Sequence, residues 1–316
     1  MTVGSFRKST LLVAVAAAGL TAAASGSAQQ VADTAFDTSV ARPAFRTGAG
    51  PRLLVDEAHH NFHTVGGRYQ TFAAVARADG YRVDANRAAF TAESLAGVGI
   101  LVIANAGTDS LSSWDLPTRS AFTAAEIDAV EQWVRGGGAL LVIADHMPAA
   151  GSMAALAERF GVMFTNGYTA QPRPAGYPGD LFVRGSGTLL EHPITRGRET
   201  KERVDSIVTF TGQGFQVVGA QVATLLRFGD SAYTKLPPRA GIGFDSTTPE
   251  VYSGRWAHAA TIKVGRGRVA MFGEAAMFSA QRAGPAGQPM GMNHPHARAN
   301  KQLLLNTFHW LSGLLD

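Results

Sequence analysis

The 316-residue sequence contains no cysteine. That excludes disulfides, a thiol nucleophile and every zinc site built on thiolates. Charged residues make up only 16% of the chain and are dispersed. No basic stripe with interleaved aromatics is present, so nucleic acid is not an expected partner despite a sequence pI of about 9.6. There is no Gly-x-Ser-x-Gly, and Arg184-Gly185-Ser186-Gly187 does not sit on a strand-to-helix turn, so a serine nucleophile is poorly supported. There is no His-Glu-x-x-His, and Gly136-Gly137-Gly138 precedes a strand pattern whereas a phosphate cradle follows one.

The apolar run Leu11 to Leu20 is too short to cross a bilayer comfortably, and no later stretch reads as a membrane span. It follows Arg7 and Lys8 and precedes the small residues Gly26-Ser27-Ala28, the order of a secretory signal over residues 1–28. The expectation is an exported protein, periplasmic or extracellular, with a retained N-terminal anchor as the competing reading. Without that segment the formal charge falls from +4 to +2, because 26 basic residues then face 24 acidic ones. Residues 29–50, polar and small with no apolar period, read as a flexible linker. Residues 51–316 are ample for a single domain held by its core.

Short apolar runs mark buried strands at Leu53–Val55, Ile100–Ile103 and Leu140–Ile143, and Tyr81–Val83 reads as another strand. Helical spacing links Tyr69, Phe72, Ala73 and Ala76, closed at Asp79-Gly80. A short helix is expected from Phe90 to Leu95. Thr123-Ala-Ala-Glu126 is a capping box, with Phe122 and Ile127 placed as a hydrophobic staple. Met153, Leu156 and Phe160 predict a further helix, and Leu304, Phe308, Leu311 and Leu315 a last one. Alternating strands and helices with short joints predict right-handed crossovers and a parallel sheet. From about 165 to 256 the pattern weakens into an insertion of extended strands. Ala260–Val264 and Arg268–Phe272 read as a hairpin around Gly265-Arg266-Gly267.

Such sheets bind ligands beyond the carboxyl ends of their strands, and the polar residues gather there. The first strand runs into Asp56-Glu57-Ala58-His59-His60-Asn61-Phe62-His63, the third ends at Asn105, the fourth at Asp145-His146, and the hairpin at Glu274. Imidazoles and carboxylates together suit a divalent metal such as zinc, with Asp56, His59, His60 and His63 as ligands. Equally, these side chains can serve only to hydrogen-bond the loops to one another. Without a metal, His146 with Asp145 and Glu274 forms an acid–base set, since a neighbouring carboxylate raises an imidazole and fixes its tautomer. Glu57, Asn61, Asn105 and Asn293 are candidate ligand-binding residues. Phe62, Tyr69 and Tyr168 offer a stacking face, although core packing is the plainer role for the first two.

Three segments carry a family resemblance: Asp56 to Thr64, Trp133 to His146 (Trp-Val-Arg-Gly-Gly-Gly-Ala-Leu-Leu-Val-Ile-Ala-Asp-His) and Gly273 to Gln281. They resemble a family of exported bacterial proteins that is similar to the class I glutamine amidotransferase-like superfamily, related to trehalose-utilisation-type domains and to domains of gliding-motility and intraflagellar-transport proteins. The resemblance spans roughly residues 50–315. It implies an α/β, parallel-sheet three-layer sandwich of flavodoxin-like type with an extended-strand insertion in the second half. In the amidotransferases the turn after a central strand carries a cysteine; the matching turn here is Ala144-Asp145-His146, which speaks against glutamine hydrolysis. Two functions remain open from sequence. One is a hydrolase, metal-assisted or not, acting on a small polar or carbohydrate-like substrate. The other is a non-catalytic ligand-binding or interaction domain that has lost the nucleophile.

Overall fold

A computed structural model describes residues 30–108, 116–241 and 243–316. The signal expected at 1–28 and part of the loop before Ala121 lie outside the described residues. Nine strands form the central sheet: β1 (Arg52–Asp56), β2 (Arg82–Asn86), β3 (Ile100–Ala104), β4 (Ala139–Ile143), β5 (Val162–Phe164), β6 (Phe215–Val217), β7 (Val222–Arg227), β8 (Ala257–Val264) and β9 (Gly267–Phe272). Their order is β2-β1-β3-β4-β9-β8-β6-β5, with β7 also paired to β8. The five strands from β2 to β9 run parallel. The remaining strands join antiparallel.

Burial on both faces explains the uninterrupted apolar runs. Successive side chains of a strand point to opposite faces. Leu53, Val55, Val102, Leu141 and Phe272 therefore enter one core, and Leu54, Leu101, Ile103, Val142 and Met271 the other. Helices α1 (Gln70–Ala78) and α4 (Asn300–Leu311) cover the first face; α2 (Ala124–Arg135) and α3 (Ala149–Glu158) cover the second. The result is a mixed α/β protein with a large sheet, parallel in one half, between helical layers. Among the described residues no helix is long and apolar enough to cross a membrane.

Helix α2 starts as its sequence predicts. The Thr123 hydroxyl accepts from the Glu126 amide at 3.3 Å and the Glu126 carboxylate accepts from the Thr123 amide at 3.0 Å. Gly80 closes α1 at φ +95°, and a Cβ there would meet the Phe45 carbonyl oxygen at 2.4 Å.

Two expectations fail, the helix at Phe90 to Leu95 and the linker at 30–50. Phe90 to Leu95 forms turns instead of a helix, because Ser94 bonds back to Thr91 and to the Ala89 carbonyl, the local competition that serine offers a helix. The extended region after 165 contains β6 and β7, which pair with β8 in the sheet. Residues 30–50, expected as a flexible linker, are docked. Gln30–Ala32 pairs with Ala280–Ala283, which pairs in turn with Gln288–Gly291. Phe36, Val40 and Phe45 pack on the first core. The Asp79 carboxylate accepts from the Ala44 amide at 2.7 Å.

Candidate functional site

Because β1, β3, β4 and β9 run parallel, their carboxyl ends share one edge, and the loops that follow them enclose a cavity of about 400 Å3. Of the residues singled out from sequence, His60, His63, Asn105, Asp145 and His146 line it.

Asn105 organises the floor. It takes φ +45°, a left-handed conformation that asparagine tolerates better than most residues. Its Oδ1 accepts from the Asp145 amide at 2.8 Å, so its Nδ2 faces His63 Nδ1 at 3.4 Å as the donor. His63 accepts at Nδ1 and carries its hydrogen on Nε2. Burial, and then the charge of Arg68, push this imidazole down to about 3, so it is neutral at any physiological pH.

Among the described residues Asp145 is the one carboxylate in the cavity lining. Its Oδ1 accepts from the His146 amide at 2.8 Å. His146 Nδ1 lies 2.7 Å from the Met147 carbonyl oxygen and donates to it, which leaves Nε2 as an acceptor 3.9 Å from Asp145 Oδ1. The ring is stacked on Tyr168, with centroids 4.4 Å apart. The Tyr168 hydroxyl donates to the same Met147 carbonyl at 3.1 Å and accepts from the Gly241 amide at 2.8 Å. The extended region thereby holds the imidazole, and Tyr168, offered by the sequence as a stacking face for a ligand, is buried against His146 and does not line the cavity. Phe62 is exposed at the cavity wall, whereas Tyr69 is core.

The other candidates have structural roles. His59 is bridged at both nitrogens, Nδ1 to Asp56 at 2.9 Å and Nε2 to Glu126 at 2.9 Å. Burial works against a charge on this ring, but the hydrogen bonds and charges of Asp56 and Glu126 outweigh it and raise its pKa. Asp56 also accepts from Asn86 at 3.0 Å. Glu57 accepts from the Val65 amide at 2.8 Å and pairs with Arg87, and Asn61 spans the His59 amide and the Ala104 carbonyl. These contacts close the loop upon itself. The four expected metal ligands therefore do not converge: Asp56 and His59 face each other and Glu126, while His60 and His63 turn to the cavity. Among the described residues no three His, Asp or Glu side chains come together as a metal would require.

Glu274 is fully buried, its two oxygens accepting from the Ala276 and Met277 amides at 2.7 Å each. It caps a turn and does not line the cavity. Burial, then the negative charge of Asp145, raise its pKa well above the usual carboxylate range despite those amides. Asn293 lies elsewhere, donating to Asp33 and to the Gln281 carbonyl at 2.9 Å each.

Sequence reasoning missed Gln30, Thr118, Arg119, Ser152, Thr211 and Met290 in the lining. They arrive from segments remote from the strand ends, and no local pattern marks them. Ser152 is no free nucleophile, since its hydroxyl donates to the carbonyls of Ala106 and Ala149.

No family model and no curated protein matches the sequence. Among solved structures, the chain is similar to an mmIFT52 N-terminal domain, with 18% identity and a TM-score of 0.58 over 82% of this chain and 97% of that one. A putative thua-like protein from Bacteroides uniformis aligns with 17% identity and a TM-score of 0.46 over 86% of this chain and 93% of that one. Another from Parabacteroides merdae aligns with 12% identity and a TM-score of 0.45 over 83% and 90%. Similarity at these identities concerns the fold alone, and it is the first of the three that supports it.

Proposed function

We propose that the cavity at the strand ends binds a small polar, hydroxyl-rich ligand of carbohydrate type, and that the chain is a branch of the amidotransferase-like superfamily that has lost its nucleophile. The observation that carries this reading is the Asp145–His146 pair. A carboxylate and an imidazole nitrogen, both acceptors, lie 3.9 Å apart at the cavity wall. Neither position can be satisfied by the other, and donors from one ligand suit both. His63 adds a neutral ring beside them, and the exposed face of Phe62 gives a sugar ring an apolar surface. The absence of cysteine supports the lost nucleophile.

A second reading is hydrolysis without a metal. The Met147 carbonyl fixes the His146 tautomer that leaves Nε2 free to take a proton from water, the arrangement of a general base. The signal pattern in residues 1–28 leads us to put either activity outside the cytoplasm.

Isothermal titration with mono- and disaccharides and cell-wall fragments tests the binding reading, with reducing-end release followed in parallel. Asp145→Asn is expected to weaken binding about tenfold or more, since a hydrogen bond to a charged group contributes roughly 1.5–3 kcal/mol. Equal affinity in the two proteins would refute the assignment. Product release abolished by His146→Ala would establish the hydrolytic reading.

A further inference from the structure

A second cavity, of about 650 Å3, adjoins the first and shares Gln30, His60 and Phe62 with it. Its other lining includes Thr64, Gly66, Gly67, Arg68 and Gln70, and among the described residues none that lines it is acidic. Arg68 is the cation of this cavity. Its guanidinium lies 3.6 Å above the Phe62 ring and donates from Nη1 to the Phe62 carbonyl at 3.3 Å. Nε is buried without a partner. Nη2 has no protein acceptor, and among the described residues no carboxylate pairs with Arg68. Burial acts on it with no neighbouring negative charge in opposition. At the same strand ends Arg87, by contrast, is paired with Glu57.

A half-buried guanidinium without a counter-ion is costly, and stacking on one ring returns only part of what a carboxylate would supply. Placing it in a cavity where no described residue is acidic leaves its charge for something that arrives from outside. The fork of an arginine suits the paired oxygens of a carboxylate or phosphate. We infer that the second cavity is an oxyanion subsite, so that the ligand is an acidic sugar, with hydroxyls against Asp145 and His146 and its anionic group against Arg68. This rests on the binding reading above. The shared wall of His60 and Phe62 lets one molecule reach both cavities. Arg68 is then the residue that selects charged over neutral ligands.

The test has two arms on residues 29–316, with wild type, Arg68→Gln and Arg68→Lys. In the first, thermal unfolding is followed in sodium phosphate, sodium acetate and sodium chloride at matched ionic strength. Wild type is expected to melt higher in phosphate or acetate than in chloride, Arg68→Gln to show no difference, and Arg68→Lys to keep part of it. In the second, glucose, glucuronate and glucose 6-phosphate are titrated. One of the two acids is expected to bind at least about tenfold tighter than glucose, with the ratio falling to about one in Arg68→Gln. Which acid wins identifies the oxyanion as carboxylate or phosphate. Glucose binding that depends on Asp145 but shows no preference for acids overturns the subsite and leaves the binding reading intact. An Arg68-dependent anion effect with no sugar binding retains the subsite and overturns the sugar reading. Identical salt effects in wild type and Arg68→Gln overturn the subsite outright.

Discussion

Replacing His59 by alanine would open a three-way lock under the loop that presents the site. The ring joins the end of β1 through Asp56 to the first turn of α2 through Glu126, and lies between Phe90 and Phe122. Removing it leaves Asp56, fully buried, with the Asn86 and Ala58 amides as its donors. Breaking a buried pair from one side costs about 3–5 kcal/mol. Asp56 keeps two donors and Glu126 keeps those of Thr123 and Phe90, so the lower end applies, about 3 kcal/mol. For a domain of this size that lowers the melting temperature by about 6–12 °C. The pH dependence supplies a sign. The His59 pKa is raised in the folded state, so its contribution is complete below the ordinary imidazole value of 6.5 and is lost as pH rises through the raised value. Glu126 is pulled down to about 2 by hydrogen bonds that overcome its burial, so its share is present above the ordinary 4.5 and is lost as pH falls towards about 2. Urea unfolding of wild type and His59→Ala, repeated from pH 3 to 9, reads both effects. A loss below about 1 kcal/mol at pH 5.5, or an unchanged slope above 6.5 in the variant, would refute the reasoning.

Glu274 should contribute in the opposite sense to an ordinary carboxylate. With its pKa raised in the folded state, its stabilisation is present below 4.5 and is lost as pH rises through the folded value. Glu274→Gln should therefore flatten the decline of stability with rising pH, and an unaltered urea-midpoint profile would contradict this. Starting the chain at residue 51 removes Phe36, Val40 and Phe45 from the core and unpairs Ala280–Ala283. The expected loss is about 3–6 kcal/mol, from about 1–2 kcal/mol for each of the three partly buried side chains; a truncated chain with an unshifted urea midpoint would show that residues 30–50 add nothing.

Much of the fold was legible because its signals are local. The runs at Leu53, Ile100 and Leu140 are apolar throughout since both faces of β1, β3 and β4 are covered. Thr123 and Glu126 sit three apart and bond as that spacing predicts. That Asp145 and His146 line the cavity at the strand ends was legible because the fold argument alone brings those ends together. His59 was misjudged as a ligand because its second partner, Glu126, lies 67 residues away and its sequence neighbours explain it only as a cap. Residues 30–50 looked like a linker because three dispersed aromatic or aliphatic side chains have no periodicity, and what holds them is a surface made by α1 and α4. Glu274 stands at a strand end, as expected, yet the chain turns immediately and its oxygens are consumed by its own backbone. Arg68 went unnoticed because what matters about it is a missing neighbour, which sequence does not show.

The docking of Gln30–Ala32 on Ala280–Ala283 also bears on when the protein becomes competent. Gln30 and Met290 both line the first cavity, so its walls come from early and late parts of the polypeptide. Until residues 280–291 have left the ribosome, Gln30–Ala32 has no strand to pair with and one rim of that cavity is missing. The complete cavity therefore forms only after synthesis has passed those residues.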